Sequence, residues 1–99
     1  MTMTMTPSQW SVGIEVSGDE LMTLDRISDL ADAVAVNGGI ASGVGRPGYG
    51  VTVLVTAGDR DDAIAQATEI LRTAAARANL PSWPVSRVEA TSEEEAAAS

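Results

Sequence analysis

The sequence predicts a small α+β domain whose elements run β-α-β-β-α-β. Three observations carry that expectation. The hydropathy period switches from 2 to 3.6 and back, twice along the chain. Helix caps and turns bearing Gly or Pro fall at each switch. The 99 residues, 44% of them hydrophobic, can bury one core but leave no room for two.

Residues 1–9 show no packing pattern and read as a flexible leader. In residues 10–16, Trp10, Val12, Ile14 and Val16 point one way and Ser11, Gly13 and Glu15 the other, as in a half-buried strand. Ser17 and Glu20 have the spacing of a capping box, with Asp19 as a rival cap. They open a helix expected over 19–36. Its packing stripe is Leu21, Leu24, Ile27, Leu30, Ala31 and Val34, and Asn37, Gly38 and Gly39 end it. A weaker strand follows over 39–45, with Ile40, Ser42 and Val44 on one face, then a turn over 45–48. The clearest strand is 49–57. Tyr49, Val51, Val53 and Val55 face one side; Gly50, Thr52, Leu54 and Thr56 face the other. The two strands are close enough to form a hairpin.

Asp59, Asp61 and Asp62 sit where the positive end of a second helix, over 59–78, favours carboxylates. Ile64, Ala67, Ile70, Leu71, Ala74 and Ala78 form its stripe, and Asn79, Leu80 and Pro81 make a stop signal. The last strand is expected over 83–90, with Pro84 near its start as an edge strand permits. Val85 and Val88 differ in parity, so this strand has one buried face only if it contains a bulge. Residues 91–99 form an acidic tail, solvated or folded into one helical turn through Ser92 and Glu95.

Two β-α-β units joined by a hairpin give the ferredoxin-like plait, a four-stranded antiparallel sheet with two helices on one face. The expected domain is 10–90, with the first and third strands central. The chain resembles ferredoxin-like modules in general, ACT-like regulatory domains among them. The run Leu80, Pro81, Ser82, Trp83, Pro84, Val85, with Arg87, Glu89 and Glu93 to Glu95, also resembles small uncharacterised actinobacterial proteins of this kind. That likeness spans most of residues 10–95 and carries no site motif, and fold alone assigns no function.

Composition removes several chemistries. There is no Lys, Cys, His or Phe, and all six basic residues are Arg. Thiolate and imidazole nucleophiles or ligands, Schiff-base lysines and the usual hydrolase triad are therefore excluded. No catalytic set, metal site or cofactor is expected. The formal net charge of −8 opposes binding to nucleic acid and to anionic membranes. No apolar run approaches a membrane span, and the start does not read as a signal peptide, so the cytoplasm is the expected location.

Function is expected on surfaces. The open sheet face, with Glu15, Thr52, Leu54 and Thr56 joined by Arg87 and Trp83, is the candidate interaction surface. Trp83 reads either as a core cap or as a contact anchor. Arg87 and Glu15 are expected to pair across strands. Gly45, Arg46, Gly48 and Tyr49 form a possible ligand loop, where backbone N–H groups could approach an anion; the competing reading is a twisted hairpin. Asp59, Asp61 and Asp62 read as helix capping before cation binding. The leading function is a non-catalytic protein-interaction or self-association module, using its sheet face or an edge strand. The alternative is an ACT-like sensor of a small metabolite, and a third is an enzyme built on Asp, Glu, Arg or Tyr49.

Overall fold

The structure, a computed structural model, describes residues 8–93. Strand β1 (Ser8–Leu21), helix α1 (Leu24–Ala35), strands β2 (Ile40–Ser42) and β3 (Pro47–Ala57), helix α2 (Arg60–Arg77) and strand β4 (Val85–Ser92) follow in that order. They form one antiparallel sheet of order β2-β3-β1-β4. β1 and β3 are central because they carry the longest apolar alternations. Trp10 lies opposite Val55, Val12 opposite Val53, Ile14 opposite Val51, and Val16 opposite Tyr49. All of these are buried, together with Ile27, Leu30 and Val34 of α1 and Ala63, Ala67, Leu71 and Ala74 of α2. Both helices therefore cover the same face of the sheet. The indole N–H of Trp10 donates to Ala57 O at 3.1 Å, which satisfies the one polar atom of that buried ring.

The second helix starts and stops where the sequence places it. The Asp59 carboxylate accepts from Asp62 N–H at 2.8 Å, and Arg77 lies in the last turn. Beyond it Asn79 takes φ 57°; its N–H donates to Ala76 O, and Leu80 N–H donates to Ala75 O. That bond pair is a Schellman motif, and buried Leu80 supplies its hydrophobic contact.

The first helix is shorter than expected. Its cap is Thr23, whose hydroxyl accepts from Arg26 N–H at 3.3 Å, and not Ser17 or Asp19. β1 instead runs on through residues 17–21. Ser17 N–H donates to Pro84 O at 3.3 Å, and Met22 exchanges two bonds with the hairpin: N–H to Arg46 O at 3.0 Å, and O from Gly45 N–H at 2.8 Å. These long-range partners outcompete a local capping box. Glu20 consequently pairs with Arg26. Leu21 and Leu24, assigned to the packing stripe from sequence, are exposed, and Met22 is buried in their place. Thr23→Ala is expected to cost about 1 kcal/mol and Ser17→Ala much less, the size of a lost N-cap. Denaturant melts of the two variants check this; equal losses would return the cap to Ser17.

The parity conflict in the last strand is resolved by a bulge. Glu15 lies opposite Arg87 but Val16 lies opposite Val85, so Ser86 is the extra residue. Val88 and Val85 thereby reach the helix-covered face together, opposite Ile14 and Val16. The strand occupies 85–92 where 83–90 was expected, and Glu93, the residue after it, is helical, so the expected helical turn through Ser92 and Glu95 lies mostly outside the described residues. β1 likewise takes in Ser8 and Gln9 from the expected leader, and β2 is only three residues long. The rest of the leader and the tail from residue 94 lie outside the described residues.

Candidate interaction surface

On the face opposite the helices, the register sets side chains in rows. Ser42, Gly50, Glu15 and Arg87 make one row; Ile40, Thr52, Gly13 and Glu89 make the next; Leu54, Ser11 and Thr91 make a third. Glu15, Thr52, Leu54, Thr56 and Arg87 thus share this face, as read from sequence. No element among the described residues covers it. Gly13 and Gly50 carry no side chain, and over them lies a shallow concavity of about 280 Å³ bordered by Ser42, Thr52, Arg87 and Glu89. A Cβ at Gly13 would meet Thr52 Oγ1 at 3.6 Å and Glu89 O at 3.9 Å, both ordinary contacts. The hollow there reflects the missing side chain and not a crowded backbone. Leu54 is 44% exposed and Ile40 67% exposed. Ile40 lies opposite Thr52, one diagonal step from Leu54, so the two make a small apolar patch.

The Glu15–Arg87 pair is corrected. The two residues are register partners, but Arg87 makes its ion pair with Glu89, two residues along its own strand, at 3.0 Å. Both side chains of that pair are well exposed, and such pairs contribute little to stability.

Trp83 does not join this face. It lies in the connection before β4, on the helix side, packed on Gly18 so closely that a Cβ there would fall 2.0 Å from Trp83 Cδ2. Its ring centroid is 5.9 Å from that of Tyr49. Trp83, Tyr49, Val16, Leu71, Ala75 and Val85 line a groove of about 740 Å³ between α2 and the start of β4. Sequence reasoning missed the role of Gly18. The only signal was a glycine where a helix cap was expected.

The Gly-rich loop is built as a clasp. Gly45 N–H donates to Met22 O, Arg46 N–H to Gly43 O at 2.9 Å, and Gly48 N–H to Arg46 O at 3.0 Å. The donors an anion would use are engaged inside the fold. Tyr49 points into the core, and its hydroxyl donates to Pro81 O at 2.7 Å. Asp59 is used as the cap of α2.

Burial pushes the Tyr49 phenol above its ordinary value, with the Arg26 guanidinium pulling the other way. Tyr49 is the sole tyrosine, and there is no Lys or Cys, so no other side chain titrates between about pH 8.5 and 12. A raised folded pKa means that its contribution is complete below about pH 10, the unfolded phenol value, and is lost as pH rises through the folded value. Stability is therefore expected to fall in alkali. Tyr49→Phe should remove that fall while costing about 1 kcal/mol at neutral pH for the lost bond to Pro81. Denaturant melts from pH 7 to 11 check it; an unchanged alkaline slope in the variant would remove Tyr49 as the cause.

Compared with protein-family models, curated proteins and solved structures, the chain has no match in any of the three.

Proposed function

We propose that this chain is a ferredoxin-like plait that acts as a non-catalytic protein-interaction module of the cytoplasm, associating with further copies of itself. The observation that carries the reading is the bare sheet face with Leu54 and Ile40 exposed on it. Small neighbours at Ser11, Gly13 and Gly50 allow another surface to approach closely. Strand order and antiparallel pairing support the plait. The missing Lys, Cys and His support a non-catalytic role. The net charge of −8, with Arg87 the one basic residue in any described strand, supports a partner other than nucleic acid. Sedimentation velocity over a concentration series tests the reading. Concentration-dependent growth in mass supports it, and a monomer at every concentration, with no protein partner recovered, overturns it.

A second reading, the ACT-like metabolite sensor, is favoured by the groove beside Trp83. Apolar walls from Leu71 and Ala75 meet Arg72 and Arg77, a combination suited to a small anion with an apolar body. A ligand-dependent rise in melting temperature across a panel of amino acids and small carboxylates would favour this reading over the first.

A further inference from the structure

We infer that β4 pairs edge to edge with β4 of a second copy of this chain, antiparallel, with Val88 on the two-fold axis. The inference rests on the self-association proposed above and assigns it to the β4 edge, with a register, in place of the open face.

The two sheet edges differ. β2 offers three residues, Ile40–Ser42, whereas β4 offers eight, Val85–Ser92. A long open edge presents main-chain donors and acceptors to any strand that can match it. Which residues present them follows from the ladder. Ser17 N–H donates to Pro84 O, and Glu15 O accepts from Ser86 Oγ at 3.2 Å, so odd-numbered residues of β1 turn their main chain toward β4. Their partners Arg87, Glu89 and Thr91 turn theirs toward β1. Val88 and Ala90 therefore turn theirs outward.

A two-fold antiparallel partner must set outward residues against outward residues. Near the middle of the strand three registers do so. With the axis at residue 87, Arg87 faces its own copy; with the axis at residue 89, Glu89 faces its own copy. Both put like charges together in the closely spaced sites, which is destabilising. With the axis at Val88, each Arg87 faces the second copy's Glu89, twice, on the open face. The half-buried Val88 meets its own copy on the helix side. Charge thus selects one register of the three. The pairing yields a continuous eight-stranded sheet, with the bulge at Ser86 marking the end of its regular ladder.

The experiment is sedimentation equilibrium at low salt on wild type, Arg87→Glu, Glu89→Arg and the double variant, with thermal melts to show that each is folded. Each single change is expected to weaken dimerisation by about tenfold or more, and the double change to return it to within about threefold of wild type. Dimerisation should also slow amide exchange at Val88 and Ala90. Unaffected single variants, a double variant that fails to recover, or exchange at Val88 and Ala90 independent of concentration would each overturn the inference. A dimer that survives Arg87→Glu but is lost in Leu54→Asp moves the interface to the open face and leaves self-association standing. A wild-type chain that is monomeric throughout removes both.

Discussion

Val53→Asp is expected to unfold the domain, whereas Leu54→Asp, one residue along, is expected to leave it folded. The two residues are neighbours in β3 but lie on opposite faces of the sheet. Val53 is fully buried opposite Val12, under the end of α1, where a Cβ at Gly39 would fall 2.9 Å from its Cγ1. Nothing in that layer can pair a carboxylate. Stranding one there, while removing a packed valine, costs several kcal/mol, comparable with the total stability of roughly 5–15 kcal/mol for a domain. Leu54 is 44% exposed on the open face, and Asp at that place keeps its solvent. Its cost should stay near 1 kcal/mol, within the range of surface changes and strand propensity. Thermal melts by circular dichroism read both. If Leu54→Asp unfolds as completely as Val53→Asp, the assignment of the open face is wrong. If it stays folded and loses oligomer mass, the sheet face itself carries contact.

Gly48→Ala is expected to be the second most damaging change, and Gly45→Ala, three residues away in the same loop, a mild one. Gly48 has φ 142°, and a Cβ on it would fall 2.2 Å from Val16 O, a backbone atom of the strand it pairs with. Neither partner can move without separating β1 from β3 at the Ser17–Gly48 step. Backbone clash and a left-handed dihedral together place the cost at roughly 3 kcal/mol or more. Gly45 also has positive φ, 77°, but nothing lies within 4 Å of its added Cβ. There the cost is dihedral strain alone, about 1 kcal/mol. Equilibrium unfolding of the two variants separates these effects. Equal losses would show that the dihedral, and not the approach of the strands, sets the requirement at residue 48.

The open face was legible because it depends on parity alone. Once Trp10, Val12, Ile14 and Val16 were set on one side of β1, Ser11, Gly13 and Glu15 had to be on the other, and β3 repeats the rule. Leu54 follows from that without any tertiary information. Parity sets Ile40 and Ser42 on one face, yet only pairing with Thr52 shows that this face is the open one.

What the sequence by itself determined was the order and kind of the elements, the second helix with both ends, and the inward and outward sets of the two central strands. These follow from local rules: period, capping and the left-handed tolerance of Asn79 and glycine. The tertiary structure alone decided the start of α1 and the face of β4. In both cases local rules offered two solutions, and a contact distant in sequence chose between them. Trp83 and Pro84 hold residues 17 and 18 in extended backbone, and Met22 is clasped by the 43–46 loop, so the helix cannot begin before Thr23. The bulge at Ser86 turns Val85 and Val88 to the same side because β1 offers a continuous apolar face for both. Periodicity cannot register such choices, since each joins residues that are neighbours in space and far apart along the chain.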